Sequence, residues 1–311
     1  MVMNRRTGAV RHMNMQDFPD LIEKGTLVVF NNSRVRKARV FALSDFGGKV
    51  EFFFLKSLDK DLWLCMVSKA KKQKTGKSYR FPGNLKGVIE EEVSSNHRKV
   101  RFSSPLNDDY LDRFGHIPLP PYIKREDSQE DTERYQSVFS KETGSVAAPT
   151  ASLHFTNEIL EKLNKKGIET AFVTLHVGLG TFEPVRTESI LDHQMHEEQF
   201  FISDETAEKV ERAVKEGRPV LAVGTTSVRT LESAWSDGKL QRGESSTDIF
   251  IYPGYEFKVV TRMFTNFHTP ESTLLVLVSA FAGKENINKA YEEAVESGYM
   301  FYSYGDAMLM L

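Results

Sequence analysis

Hydrophobic and polar residues alternate in short runs along the first third of the chain, and turn residues separate the runs. Six runs rich in Val, Phe and other strand-forming residues lie between positions 38 and 102, at residues 38–43, 49–55, 61–67, 77–81, 87–93 and 98–102. Glycine-containing segments, such as residues 45–48 and 82–84, separate them. Evenly spaced strands of this length predict a small, closed or nearly closed β-barrel.

A different period follows residues 118–121. Residues 157–166 place Ile159, Leu160 and Leu163 on one helical face, and a glycine ends the run. Residues 204–216 repeat this pattern, and a further helix is predicted from Ser227. Buried strands are predicted at residues 26–31, 170–176 and 220–223.

Strands and helices that alternate with short connections are typical of a layered α/β domain. Because one buried strand precedes the six short strands, the barrel is predicted to be inserted into that domain. We therefore expect a discontinuous α/β domain at residues 1–36 and 108–311, and a β-barrel domain at residues 37–107.

Composition excludes several classes of protein. With 311 residues, 40% hydrophobic and 27% charged, the chain has the composition of a globular protein and not of a disordered one. The longest strongly apolar run, residues 274–282, is shorter than the roughly 20 residues of a membrane helix, and no export leader follows Met1. Cys65 is the only cysteine, so disulfides and cysteine-based zinc sites are excluded and a cytoplasmic protein is expected.

The net charge of −2 conceals an uneven distribution along the chain. Residues 1–110 hold 21 Lys and Arg against 12 Asp and Glu, whereas residues 111–311 hold 20 against 31. The basic residues form two clusters, Arg34, Arg36, Lys37 and Arg39, then Lys69, Lys71, Lys72, Lys74, Lys77 and Arg80. Such clusters are typical of phosphate contacts, but also of edge strands protected by lysine. Charge alone leaves both interpretations open.

Residues 222–229 form a strand-to-helix turn with small and hydroxyl-bearing side chains. Free N–H groups at the start of the predicted helix suit a carboxylate or phosphate, and Arg229 adds a planar set of donors. An ordinary capped helix has the same local sequence. However, ligands of open α/β sheets bind at the carboxyl ends of strands, where this turn lies.

Glycines and histidines mark further candidate segments. Residues 174–182 end a strand with Gly178 and Gly180, too short for a dinucleotide fingerprint but suited to close backbone approach by a ligand. His193 and His196 lack an identified third metal ligand, so a polar, non-metal role is favoured. A histidine beside apolar residues, such as His154, is by itself more typical of a half-buried side chain than of a catalyst.

Seven segments of this kind follow one another along the chain, at residues 144–155, 174–185, 193–196, 222–232, 248–254, 265–270 and 301–308. In this order they closely resemble the S-adenosylmethionine:tRNA ribosyltransferase-isomerase family of queuosine biosynthesis. The resemblance extends from about Leu27 to the C-terminus and is weakest in the predicted barrel. It implies an α/β domain that carries a β-barrel domain, in agreement with the hydrophobic pattern.

The resemblance also implies a tRNA-modifying transferase and isomerase. In that family the ribosyl part of S-adenosylmethionine moves to the aminomethyl side chain of a 7-deazaguanine at the tRNA wobble position. Adenine and methionine leave, and the product is epoxyqueuosine-tRNA. A monomer without a metal is expected, with the tRNA anticodon stem-loop as its partner. The chain departs from the family pattern at Ser152, at Arg36 and Lys37, at Met300, and by lacking a segment that usually precedes Met1.

Roles follow as hypotheses from this resemblance and from the chemistry. A sulfonium acidifies the neighbouring 5′ carbon, so a base near neutral pKa is needed there, and an acid is needed at the departing purine. The catalytic candidates are His154, His176, His268 and Asp306. Cosubstrate binding is assigned to Gly178, Gly180, Thr181, Phe155, Phe182, Thr225, Thr226, Arg229 and Tyr304, in which the aromatic rings face the sulfonium. RNA binding is assigned to Asn31, Arg34, Arg36, Arg39, Lys71 and Lys72.

Three other functions remain possible on the residues alone. An enzyme acting on phosphate esters, built around residues 224–226, would bind phosphorylated sugars and ignore S-adenosylmethionine. A non-catalytic RNA-binding protein would bind tRNA and release no adenine. A methyltransferase would form S-adenosylhomocysteine.

Overall fold

The structure is a computed structural model that describes residues 1–120, 122–123, 125–178, 190–193 and 195–311. In this part of the chain the strands are β1 (Val2–Met3), β2 (Val10–Arg11), β3 (Leu27–Asn31), β4 (Ser33–Val35), β5 (Arg39–Ser44), β6 (Lys49–Ser57), β7 (Leu62–Val67), β8 (Ser78–Arg80), β9 (Lys86–Glu92), β10 (His97–Phe102), β11 (Glu142–Ser145), β12 (Glu169–Leu175), β13 (Glu198–Ile202), β14 (Val220–Val223), β15 (Trp235–Ser236), β16 (Lys239–Leu240), β17 (Gly243–Thr247), β18 (Arg262–Asn266) and β19 (Ala307–Met310). The α-helices are α1 (Phe18–Leu21), α2 (Asp108–Phe114), α3 (Gln129–Arg134), α4 (Asn157–Lys165), α5 (Asp204–Lys215), α6 (Thr225–Ala234), α7 (Thr273–Ala282) and α8 (Lys284–Glu296).

The chain divides into two compact units. One comprises residues 1–34 and 134–311, and the other comprises residues 35–133. The barrel unit ends at residue 133 and not at the predicted residue 107, because α2 is part of it. Its Leu111 is wholly buried in the barrel's hydrophobic core. This is a tertiary contact, which no local pattern in the sequence predicts.

The first unit is built on a mixed nine-stranded sheet in the order β17-β13-β12-β3-β14-β18-β19-β1-β2. The central strands β12, β3, β14 and β18 are parallel. All five residues of β3 are buried, as expected for a strand covered by helices on both faces. Val28 and Phe30 pack against α1 and α4, and Val29 packs on the opposite face with α5 to α8.

The second unit contains a closed six-stranded barrel in the order β10-β7-β6-β5-β8-β9. Buried and partly exposed residues alternate along β7 and β10, so one face of each strand fills the interior. Phe52, Phe54 and Phe81 pack together there, with ring centroids 4.8–6.3 Å apart. The predicted fold class, an α/β domain with an inserted small β-barrel, is confirmed.

Two features of the described residues complete the fold. Cys65 lies inside the barrel core, where burial raises the pKa of its thiol. Within the described part of the chain, no helix combines the length and the apolar character that a membrane crossing requires.

Candidate active site

The carboxyl ends of four parallel strands form a row of polar residues. β12, β3, β14 and β18 lie side by side and end at Leu175, Asn31, Val223 and Asn266. Because neighbouring strands are about 4.8 Å apart, this row is about 14 Å long. The edge is where ligands bind in open α/β sheets.

Asn31 connects three elements of this edge. Its Nδ2 donates to the carbonyl of Leu175 (3.0 Å) and to Oγ1 of Thr226 (3.2 Å). Its Oδ1 accepts from the backbone N–H groups of Leu175 (3.1 Å) and Ser33 (3.0 Å). The residue has no exposed surface. The amide of Asn31 is thus fully used within the protein, and the residue has no surface with which to contact RNA.

Helix α6 begins directly behind β14. Its first turn follows Gly224, which has a φ of +86° and provides no side-chain cap for the N–H groups. The helix starts at Thr225, two residues earlier than predicted. The Thr226 hydroxyl accepts from Asn31, so its own proton is available to donate elsewhere. This first turn therefore combines free donors with the positive end of the helix dipole.

Arg229, in the second turn of α6, forms a buried ion pair with Glu198 at the start of β13. The side chains are 6% and 4% exposed, and Nη1 contacts Oε2. The other Glu198 oxygen accepts from the N–H of Gly178 at 2.9 Å. Nη2 of Arg229 is buried and has no hydrogen-bond partner among the described residues. Arg229 is thus neutralised by a partner that the sequence analysis missed, and it keeps one donor unused.

His154 ends the 3₁₀ helix Thr150–His154, and its ring lies beside the end of β18. Nδ2 of Asn266 donates to the carbonyl of Tyr302 (3.1 Å) and is 3.2 Å from Nε2 of His154. A carbonyl only accepts, so the amide nitrogen faces it; because the carbonyl of Ser303 is farther from Nδ2, at 3.5 Å, we assign the second hydrogen to Nε2. His154 therefore accepts at Nε2 and carries its proton on Nδ1.

Burial lowers the pKa of His154, while the negative charge of Asp306 acts in the opposite direction. The imidazole is thus neutral at pH 7. Asp306 is held by the backbone N–H of Met300, 2.8 Å from Oδ2. The turn before it is tight, because a Cβ on Gly305 would lie 2.4 Å from two backbone carbonyl oxygens.

His268 and His176 occupy different environments. His268 is 8% exposed, its Nε2 lies 2.9 Å from Oγ1 of Thr265, and burial lowers its pKa to about 4. His176 directly follows β12, and its backbone N–H donates to Gln199. Its ring packs on Gly144, where a Cβ would lie 2.7 Å from Cε1. Gly144 therefore sets the position of the His176 ring, a role that its place in the 144–155 segment did not reveal.

The predicted aromatic contacts separate into three cases. Phe155 is 1% exposed and packs edge-on against Phe18, Phe30 and Phe264, so it belongs to the hydrophobic core and not to a ligand surface. Tyr304 is 37% exposed beside Tyr135. Gly180, Thr181 and Phe182 lie outside the described residues.

Ser152 and His193 were also singled out in the sequence. Ser152 lies within the 3₁₀ helix and is not among the residues with positive φ, so a side chain is accommodated where the family usually has glycine. The His193 ring lies 5.3 Å from that of Phe250. No group of three or more His, Cys, Asp or Glu side chains in the described residues is arranged to hold a metal ion.

The arginines assigned to RNA differ in availability. Arg34 is exposed. Arg36 pairs with Asp108 (2.7 Å) and Arg39 with Glu51 (2.8 Å), so both guanidinium groups already have a carboxylate partner. Lys71 and Lys72 are exposed in the connection between β7 and β8.

Comparison with known proteins identifies the family. The family described as queuosine biosynthesis protein matches residues 1–310. An S-adenosylmethionine:tRNA ribosyltransferase-isomerase from Treponema denticola is 53% identical over all of this chain and 92% of its own length, and one from Clostridioides difficile is 46% identical with the same coverage. The crystal structure of an S-adenosylmethionine tRNA ribosyltransferase from Thermotoga maritima matches with a TM-score of 0.55 and 34% identity, covering 100% of this chain and 91% of that one.

These matches confirm the resemblance that the seven segments indicated, and with it the expected class of enzyme, a transferase and isomerase in tRNA modification. The chain therefore belongs to the queuosine biosynthesis protein family.

Proposed function

We propose that the carboxyl edge of the sheet is where this chain transfers and isomerises the ribosyl group of S-adenosylmethionine onto the 7-aminomethyl-7-deazaguanine wobble base of tRNA. The observation that carries the proposal is one row of about 14 Å with free helical donors at β14 and a neutral histidine at β18. A nucleoside that carries an amino-acid chain needs donors for its carboxylate at one end and a group for proton transfer at the other.

The methionine carboxylate binds at the first turn of α6. The N–H groups there and the Thr226 hydroxyl are donors, and the helix dipole favours an anion. Arg229 contributes through its unpartnered Nη2, since Nη1 is committed to Glu198. Arg229 thus remains one of the groups assigned to the carboxylate, beside Thr225 and Thr226, but as a buried support with one available donor.

Proton transfer is assigned to His154 and His176, at the two ends of the row. A neutral imidazole is needed both to remove a proton beside the sulfonium and to donate an N–H to the departing purine. Because Nε2 of His154 is engaged by Asn266 and Nδ1 carries the proton, we assign His154 to donate at the purine and His176 to act as the base, while the negative charge of Asp306 opposes the effect of burial on the His154 pKa. Burial lowers the pKa of His268 to about 4, so it is a weaker base than an exposed histidine, and it has little exposed surface; we therefore assign it a positioning role.

The tRNA partner is bound through its anticodon stem-loop, with Arg34, Lys71 and Lys72 as phosphate contacts. Their side chains are exposed, and neutralised phosphates provide salt-dependent affinity. The target base is splayed out of its loop to reach the sheet edge, as is usual for enzymes that modify a base. We further propose a cytoplasmic monomer that needs no metal.

One incubation tests the reaction. The purified chain is mixed with S-adenosylmethionine and tRNA bearing the aminomethyl base, and adenine, methionine and the modified RNA are measured by mass spectrometry. Release of adenine and methionine with a ribosyl-derived mass gain on the tRNA is expected. S-adenosylhomocysteine would indicate methyl transfer, and tRNA binding without adenine would indicate an RNA-binding protein; either result overturns the proposal.

Single variants test the residues. His154→Ala and His176→Ala are expected to lower adenine release by at least about 100-fold, as for loss of a general acid or base. His116→Ala is the matched control, because His116 lies in the barrel unit and pairs with Asp127. Full adenine release by both site variants would eliminate the assignment.

A further inference from the structure

Three loops meet at one end of the barrel. The six strands are antiparallel to their neighbours, so the connections β5–β6, β7–β8 and β9–β10 all lie at the same end. The chain enters β5 and leaves β10 at the opposite end. With strands of about six residues and the tilt usual in barrels, the two ends are about 15–20 Å apart. We call the three loops, residues 45–48, 68–77 and 93–96, the distal loops.

The distal loops are strongly basic. They contain five lysines, Lys69, Lys71, Lys72, Lys74 and Lys77, and one acidic residue, Asp45. Lys74 pairs with Glu92 (3.0 Å) and Nζ of Lys77 donates to the carbonyl of Lys72 (2.6 Å). Lys69, Lys71 and Lys72 have no acidic side chain within ion-pair distance among the described residues.

A buried arginine fixes the backbone that carries these lysines. Arg98 is 2% exposed, and its guanidinium donates to the carbonyls of Gln73 (2.7 Å), Ala70 (2.7 Å) and Ser94 (2.8 Å), with Glu92 3.4 Å away. Ala70 and Gln73 flank the turn that holds Lys71 and Lys72, and Ser94 belongs to the neighbouring loop. One planar side chain thus ties two distal loops together and aligns the lysine backbone before any ligand binds.

An aromatic ring stands beside the lysines. Phe46 is 98% exposed at the tip of the β5–β6 hairpin. Because Ser44 pairs with Tyr79, this tip lies next to the start of β8, immediately after Lys77. A cationic surface with an exposed aromatic ring is the combination that binds nucleic acid through its backbone and an unstacked base.

We propose that the distal loops are a preformed RNA-binding surface, in which Lys69, Lys71 and Lys72 contact phosphates, Phe46 stacks on one unstacked base, and Arg98 is the positioning residue that holds the loops in place. The inference rests on the proposed function, because it takes the RNA to be the tRNA substrate. It extends the contact with tRNA to the end of the barrel remote from where the chain enters and leaves. Direct base reading is not required, since stacking and phosphate contacts tolerate any sequence.

Full-length tRNA binding is measured by fluorescence anisotropy from 0.1 to 1 M salt. Each phosphate contact on an unpaired strand contributes a slope of about 0.7 in log Kd against log salt. Lys71→Ala/Lys72→Ala is therefore expected to lower the slope by about 1.4. The loss of affinity relative to wild type is then roughly 25-fold larger at 0.1 M salt than at 1 M salt. Phe46→Ala is expected to weaken binding roughly fivefold or more, and Phe46→Trp to retain it.

The matched control is Lys60→Ala/Lys86→Ala. Both lysines are exposed and lie at the opposite end of the barrel, so the charge change is the same and only its position differs. The control is expected to keep the wild-type slope. If the two double variants bind tRNA with the same slope, or if Phe46→Ala binds as tightly as wild type, the proposal is overturned.

Arg98 needs its own measurement, because a buried arginine can also matter for folding. Arg98→Lys keeps the charge but replaces five donors with three. We expect faster hydrogen exchange of the amides of residues 70–77 and weaker tRNA binding; wild-type values of both remove Arg98 from the proposal. If the Arg98→Lys variant does not fold, the lysine and Phe46 variants still test whether the distal loops bind RNA. A wild-type protein that binds tRNA but releases no adenine would overturn the proposed reaction and leave this surface in place.

Discussion

The buried His268 makes stability depend on pH in a way that can be calculated. Oγ1 of Thr265, in β18, lies 2.9 Å from Nε2 of its imidazole, and the hydroxyl of Tyr291, in α8, accepts from the backbone N–H of His268 at 2.9 Å. Burial raises the pKa of Tyr291 to about 12, so neither neighbour is charged at neutral pH. No charged group among the described residues is a cause of a shift that would favour the protonated ring, and burial lowers its pKa to about 4.

The sign follows from the two states. In the unfolded chain the pKa of a histidine is about 6.5, so the unfolded state takes up a proton first as the pH falls. The stabilisation is complete above pH 6.5 and is lost progressively down to pH 4. The difference between a pKa of about 6.5 in the unfolded chain and about 4 in the folded one corresponds to about 3 kcal/mol in total, of which about 2 kcal/mol is lost between pH 7.5 and pH 5.

Urea unfolding of wild type and His268→Asn at pH 7.5 and pH 5 provides the assay. Asparagine keeps a polar side chain but does not titrate, so the variant loses less free energy of unfolding between the two pH values, by about 2 kcal/mol. The difference between the two proteins removes the contribution of all other titrating groups. Equal losses in wild type and variant would refute both the pKa of His268 and the reason for assigning it a positioning role.

Two further predictions concern packing at the site. Gly144→Ala is expected to displace the His176 ring, which lies 2.7 Å from the new Cβ, and so to lower adenine release by roughly tenfold or more. Gly217→Ala is the control, because Gly217 also has a positive φ but a Cβ there would have no atom within 4 Å. Equal adenine release by both variants would contradict the contact. Glu198→Gln leaves the buried Arg229 guanidinium without a carboxylate and is expected to lower the free energy of unfolding by about 3–5 kcal/mol, and unchanged urea denaturation would disprove this.

Local patterns predicted the elements because burial follows the strand and helix periods directly. The six barrel strands occur where alternation placed them, and β14 begins and ends at the predicted residues. Helix α6 begins two residues early because Gly224, with its positive φ, precedes the first turn. The prediction of a start at Ser227 was therefore wrong by two residues.

The site was less predictable, since its residues acquire their roles from distant partners. Arg229 was correctly placed at the sheet edge, but Glu198, which neutralises it, lies 31 positions away on another strand. In the sequence Asn31 is the last residue of a predicted strand, and only the positions of Leu175 and Thr226 show that its amide is fully used. A polar residue ending an otherwise apolar strand was the available signal.

These partners give the site a consistent electrostatic character. The cosubstrate brings its own cation, the sulfonium, close to its carboxylate, so an anchor with a full positive charge would attract one group and repel the other. Glu198 removes the full charge of Arg229, and the first turn of α6 presents a partial charge of only about one half. Burial keeps the ring of His154 neutral as well. An edge that binds an anion through dipoles and holds its histidine uncharged can accept a sulfonium without repulsion, which is the condition that a base beside that sulfonium must meet.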